Sequence, residues 1–229
     1  MYKNMSRNIV IGPPGTGKTT FLKNKVDEII KEGKATSKEI GYFSFTVKAA
    51  EEIRNRVTNK AWSEAELKKM FPYFCTLHSL AYKCLRLEAH EIMDELDYME
   101  LSDMTGRKFV NKMKKGNGID ISMPTAQSQY QDTINLAYAK YPHDEDRLQK
   151  IFREVKLPDY GARSTIMQMD KDLTNFKRAR HKLEYVDYFN SFLEMKNPPY
   201  LKYLFIDEAQ DLSAHQWMVV DMIQYIAQP

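Results

Sequence analysis

Gly12-Pro13-Pro14-Gly15-Thr16-Gly17-Lys18-Thr19 has the spacing G-x-x-x-x-G-K-T, that of a phosphate-binding loop. Working outward from it, Asn8-Ile9-Val10-Ile11 is a short apolar run and predicts a buried strand. On the other side, Leu22, Val26, Ile29 and Ile30 share one helical face, and Gly33 supplies a stop. Strand, glycine loop and helix form the context in which this spacing works. Glycines let backbone N–H groups turn onto phosphate oxygens. The first turn of the helix, with Lys18, Thr19 and Thr20, adds partial positive charge at the same place. The candidate phosphate-binding set is therefore Gly12, Pro13, Pro14, Gly15, Thr16, Gly17, Lys18, Thr19 and Thr20. Lys18 is placed to reach the β- and γ-phosphates, and the Thr19 hydroxyl to help hold Mg²⁺. The loop names a nucleoside triphosphate and leaves open what its energy drives.

Composition sets the outer bounds. The chain has 229 residues, is 43% hydrophobic and carries a net charge of +3, so it can bury a real core and has only a mild basic bias. Cys75 and Cys84 are nine apart, form no C-x-x-C and sit in apolar patterns, which predicts buried thiols in a reducing compartment. No apolar run approaches ~18 residues, and Ile9 to Ile11 is too short for a signal-peptide core. A soluble, cytoplasmic chain is expected, with no membrane partner.

Along the chain, Ile40-Gly41-Tyr42-Phe43-Ser44-Phe45 reads as a second strand, and Thr46 as a cap for a helix carrying Ala49, Ala50, Ile53 and Val57. Ser63-x-x-Glu66 is a capping box for a short helix. Tyr73 to Thr76 is a third strand candidate, followed by helical spacing from Leu77 to about Ala89. This alternation argues for a parallel α/β sheet. From 90 to 183 the pattern becomes helical, with Tyr130 to Tyr138, Leu148 to Val155 and Ile166 to Leu183 as three helices. Pro124, Pro142 and Pro158 punctuate that block, and Lys114 to Gly118 reads as a turn. The α/β pattern then resumes with a helix around Val186 to Leu193. The continuous run Tyr203-Leu204-Phe205-Ile206 follows, as expected of a central strand, and then a helix from Ala214 to about Ala227 with Trp217, Val220 and Ile223 inward.

The run at Tyr203 ends in Asp207-Glu208-Ala209-Gln210-Asp211. An acidic strand end complements a phosphate loop: Asp207 can hold Mg²⁺ through its water shell, and Glu208 can orient and deprotonate the attacking water.

With Phe205-Ile206-Asp207-Glu208-Ala209-Gln210-Asp211, the chain resembles superfamily 1 helicases of the UvrD/Rep/PcrA type and their D-E-x-Q-D box. Phe45-Thr46-Val47-Lys48-Ala49-Ala50-Glu51-Glu52-Ile53-Arg54 is similar to that family's motif Ia, with Val47 in place of a commoner Asn. Thr76-Leu77-His78 is similar to its T-x-H motif, and Asp187-Tyr188 to an Asp-Phe pair ahead of the acidic strand. The resemblance implies a RecA-like P-loop parallel sheet with a helical insertion subdomain. Residues 1–89 and 184–229 then form the ATP-binding domain (1A), and 90–183 the insertion (1B). It implies ATP and Mg²⁺, with Lys18, Glu208 and Gln210 catalytic and Thr19 and Asp207 at the metal. It further implies that Phe45, Thr46, Thr76 and His78 contact single-stranded DNA. An aromatic ring stacks on any base, and hydroxyl or imidazole groups bond phosphates without reading sequence. Phe45 as core and His78 as a satisfied helix-start residue are the structural alternatives. Lys171, Lys177, Arg178, Arg180 and Lys182 form either a phosphate-facing strip or a solvated helix face.

Two features depart from the family pattern. Eleven residues precede Gly12 with no Gln among them, so the expected adenine-reading glutamine has no counterpart. A second RecA-like domain, source of arginine fingers and half the DNA track, is missing from the chain, so little ATPase and no unwinding are expected of it alone. The reading is the ATP-hydrolysing N-terminal motor domain of a UvrD-like DNA helicase, moving 3′ to 5′ when completed. An RNA-directed motor and a non-catalytic nucleotide-gated binding module are the alternatives.

Overall fold

The computed structural model describes residues 8–57, 62–111, 126–142, 144–157, 161–195 and 198–226. The chain divides into two compact units, residues 1–85 with 192–229 and residues 86–191. The sequence pattern places these boundaries at 89/90 and 183/184.

In the first unit, α1 (Lys18–Lys31) leads to β1 (Ile40–Phe43), α2 (Val47–Val57), α3 (Glu64–Met70), β2 (Phe74–Cys75) and α4 (Leu77–Cys84). After the second unit the chain returns through β3 (Tyr203–Ile206), a single turn at Ala209–Asp211 and α10 (Ala214–Ile226). The three strands make a parallel sheet in the order β2-β1-β3. Tyr42 pairs with Phe74 on one side and Phe205 on the other; Phe43 pairs with Cys75 and Ile206. Parallel strands need crossover segments, which α2 and α3 provide between β1 and β2, and α4 with the second unit's excursion between β2 and β3.

Sequence chemistry explains the boundaries. α1 ends in a Schellman arrangement: Lys34 N–H donates to Ile29 O at 3.0 Å and Gly33 N–H to Ile30 O at 3.1 Å, with Gly33 at φ 67°. Thr46 Oγ1 accepts from Ala49 N–H at 3.1 Å, as its position before α2 predicts. Ser63 and Glu66 form the expected capping box of α3. The core under one sheet face gathers Val26 and Ile29 from α1, Ile40 and Tyr42 from β1, and Ile53, Phe71 and Phe74. Arg54 on α2 is buried and donates to the carbonyl of Phe74, tying α2 to β2.

Three expectations are corrected here. Asn8 to Ile11 forms no strand; Ile9 is 83% and Ile11 91% exposed. β3 is not the central strand: β1, buried throughout, holds that place, and β3 is half-buried and pairs only with β1 among the described residues. Trp217 is exposed on α10; Val220 and Ile223 lie inward as expected, together with His215 and Val219.

The second unit is helical: α5 (Glu95–Thr105), α6 (Ala126–Lys140), α7 (Arg147–Glu154) and α8 (Ala162–Arg180), then α9 (Tyr185–Leu193), whose last two residues belong to the first unit. Its core joins Tyr98, Leu101, Ile134, Ile151, Ile166 and Leu173. Leu183 lies beyond α8 rather than in it, bridged to Ile92 in parallel register. The helix α5 escapes a search for periodicity because Leu96, Met99 and Met104 are exposed while Tyr98 and Leu101 are buried. Its caps do mark it: Asp94 accepts from Leu96 and Asp97 N–H, and Gly106 closes it at φ 66°. The expected turn at 114–118, Pro124, Pro158 and the helix end at Ala227 lie outside the described residues. No described helix is long and apolar enough to cross a membrane.

Candidate nucleotide site

The glycine loop precedes α1, and its backbone has the form the spacing demands. Gly17, the N-cap of α1, has φ 82° and Gly15 φ 81°, values that cost an L side chain about 1–2 kcal/mol. A Cβ added at either position would meet nothing within 4 Å, so open space lies beside the loop. Thr16 Oγ1 donates to Pro13 O at 2.8 Å and fastens the turn across its base. Lys18 is half-buried, with Nζ donating to Gly12 O at 2.8 Å and Pro13 O at 3.1 Å. The lysine thus folds back over the loop that carries it. Thr20 is exposed in the first turn of α1.

Thr19 points to the end of β3. Its Oγ1 donates to the Asp207 carboxylate, 3.1 Å from Oδ2 and 3.3 Å from Oδ1, across 188 residues of sequence. Asp207 is 5% exposed, and its N–H donates to Phe43 O at 2.8 Å, which extends the β1–β3 ladder to the carboxylate. A third contact was not foreseen: the Tyr42 phenol donates to Asp207 Oδ2 at 3.0 Å. Burial, then the adjacent Asp207, raises the phenol pKa above its ordinary value, so Tyr42 remains a donor. A tyrosine inside an otherwise apolar strand is a usable signal, since a buried phenol requires an acceptor. The sequence does not say which one.

Glu208 and Gln210 follow on the exposed rim. Glu208 has φ 54° and ψ 46°, the left-handed region that a non-glycine residue occupies at a cost of order 1–3 kcal/mol. Gln210 Nε2 donates to Glu208 Oε2 at 2.6 Å. The backbone therefore turns sharply between two adjacent carboxylates. Asp207 stays buried under the sheet edge while Glu208 stands in solvent.

A divalent ion fits this donor set. Asp207 is a buried carboxylate whose described side-chain partners, Thr19 and Tyr42, are neutral hydroxyls, and burying a charge without a counter-charge is costly. Thr19 and Asp207 are hard oxygen donors, suited to Mg²⁺. Among the described residues no group of three or more His, Cys, Asp or Glu could hold a metal by itself. That suits an ion that takes only one or two protein ligands and completes its shell with water and phosphate.

The residues proposed for DNA divide. Phe45 and Thr46 follow the carboxyl end of β1; Phe45 is 55% exposed and is not core, and Thr46 is exposed while capping α2. Thr76, after β2, is buried and caps α4, with Oγ1 accepting from Ser79 N–H at 3.1 Å. His78 is half-buried, and burial followed by the nearby His215 pushes its pKa down to about 4. At neutral pH the imidazole is uncharged. On the long helix α8 and just beyond it, Lys177 is engaged by Glu184 and Asp187, Lys182 by Asp97 and Arg180 by Glu100, so the basic strip is largely internal ion pairing. Cys75 is buried, its thiol pushed up to about 11.

The chain is similar to several DNA helicases. The ATP-dependent DNA helicase PcrA of Staphylococcus epidermidis is 23% identical over 227 residues, covering 94% of this chain and 29% of that protein. DNA helicase II of Haemophilus influenzae is 23% identical over 116 residues, 51% of this chain and 16% of its own length. A probable DNA helicase II homologue of Mycoplasma capricolum is 26% identical over 116 residues, 49% of this chain and 15% of that protein. The chain thus spans less than a third of the relatives it matches. The sequence profile of the UvrD/REP helicase N-terminal domain matches residues 2–226, nearly the whole chain, and the protein belongs to that family.

Proposed function

We propose that the chain is the ATP-binding half of a UvrD-like DNA motor. In this reading the first unit is the RecA-like domain and the second is its helical insertion. The single observation that carries it is the meeting of Thr19 and Asp207, from the two ends of the sequence, beside a loop whose glycines hold positive φ. Buried carboxylate, threonine hydroxyl and lysine together suit a triphosphate with its ion and suit few other ligands.

The residues divide the work. Backbone N–H groups of the loop and the start of α1 receive phosphate oxygens. Lys18 exchanges the Gly12 and Pro13 carbonyls for the β- and γ-phosphates. Thr19 and Asp207 would hold Mg²⁺, which would supply positive charge to the phosphates. Glu208, held out on its left-handed turn and bonded to Gln210, orients the attacking water and accepts its proton. Phe45 and Thr46, exposed after β1, offer a stacking ring and a hydroxyl to single-stranded DNA at the strand-end rim where ligands of parallel sheets bind. Translocation and unwinding, 3′ to 5′, belong to an assembly with a second RecA-like domain. An arginine finger supplied by that domain would raise turnover by about 10³–10⁵.

Calorimetry with Mg-ATP tests the reading. The chain binds, and Lys18→Ala weakens binding at least tenfold while leaving the thermal midpoint nearly unchanged. Equal affinity in parent and variant refutes the site.

A further inference from the structure

Tyr42 has a place in the site that the phosphate-loop and acidic-box motifs do not account for. It is fully buried in the middle of β1, and the parallel register sets it opposite Phe205. Side chains two apart on a strand share a face, so Tyr42, Phe205 and Asp207 lie on the same side of the sheet. The Tyr42 ring is confined between Phe74, 5.6 Å away, and Phe205, stacked at 6.3 Å. Its hydroxyl reaches Asp207 Oδ2 at 3.0 Å, while Thr19 touches both carboxylate oxygens.

We propose that Tyr42 is a positioning residue: its phenol fixes the rotation of the Asp207 carboxylate and so sets how that group meets Mg²⁺. The proposal rests on Asp207 as the metal ligand. A carboxylate has a soft torsion, and the one hydroxyl proton of Thr19, whose lone pairs would face the ion, is a single tether. A ring locked by two aromatic neighbours supplies a second, because its hydroxyl cannot wander. Donors that hold a metal ligand in place are worth about 10–100-fold in metal affinity when lost. The alternative is a buried phenol that merely found the nearest acceptor.

Tyr42→Phe separates the two, since it keeps the ring packing and deletes only the hydroxyl. A fluorescent ATP analogue is titrated onto the 229-residue chain in EDTA, then at rising Mg²⁺, with thermal midpoints recorded alongside. Asp207→Asn is the companion. The expected result is that Tyr42→Phe binds nucleotide in EDTA as the parent does and needs about tenfold more Mg²⁺ for the metal-dependent gain, while Asp207→Asn loses that gain. An unchanged Mg²⁺ midpoint in Tyr42→Phe, with the gain lost in Asp207→Asn, overturns the role of Tyr42 and leaves the metal site standing. A Mg²⁺ response that survives Asp207→Asn overturns the metal site and the role of Tyr42 with it. Equal loss of affinity with and without Mg²⁺ in Tyr42→Phe shows a general packing role and also overturns the proposal.

Discussion

Gly17→Ala and Gly33→Ala form a matched pair that separates backbone cost from phosphate binding. Gly17 has φ 82° and Gly33 φ 67°, and a Cβ added at either would meet nothing within 4 Å. Neither substitution creates a clash in the protein, so each costs only the left-handed conformation, about 1–2 kcal/mol. For a chain of this size 1 kcal/mol moves the melting temperature by about 2–4 °C. Both variants should therefore melt about 2–8 °C below the parent. They differ in what lies beside them. Gly33 closes the far end of α1, whereas Gly17 opens the helix at the loop, where a phosphate would occupy the space its Cβ enters. Saturation at about 100 times the dissociation constant stabilises a protein by about 2.7 kcal/mol. Adding Mg-ATP at that level should raise the midpoint of the parent and of Gly33→Ala by about 5–11 °C and leave Gly17→Ala nearly unmoved. Differential scanning fluorimetry with and without Mg-ATP reads both numbers. An equal nucleotide shift in all three proteins would refute the placement of the phosphates at this loop.

Four other expectations follow from the geometry. Phe45→Ala should weaken single-stranded DNA binding severalfold in fluorescence anisotropy with little change in stability, because the ring is exposed. Thr76→Val should instead cost about 1 kcal/mol of stability by removing the cap of α4. His78 is held neutral, with a pKa near 4 against an ordinary 6.5, so the unfolded chain binds the proton better. Stability from this group is complete above about pH 6.5 and falls as the pH drops toward 4, by up to about 3 kcal/mol, and His78→Gln should flatten that slope in urea melts. Lys177→Met leaves Glu184 and Asp187 facing each other without their cation, 3.2 and 2.8 Å from where its ammonium stood; a loss of about 3–5 kcal/mol is expected in denaturant unfolding, and a loss under 1 kcal/mol would refute a buried pair.

What the sequence determined by itself is the chemistry that neighbouring residues carry together. The loop from Gly12 to Thr19, the capping box at Ser63, the stop at Gly33 and the acidic box at Asp207 each act within a few residues, so spacing alone reveals them. The helical block was legible where apolar residues repeat at helical spacing, as in α7 and α8, and was lost at α5, whose apolar residues ring the helix. Tertiary structure decided the rest. A strand is made by its partner as much as by its residues, so Asn8 to Ile11, apolar but unpaired here, forms none, and four half-buried residues of β3 read from sequence like a central strand. Tyr42 and Asp207 come together because β1 and β3 pair in parallel across the length of the chain, and Thr19 reaches the same carboxylate from α1. Tyr42 stands 165 residues from the carboxylate it holds, and no local pattern can carry that hydrogen bond, which depends on register between strands rather than on spacing within one.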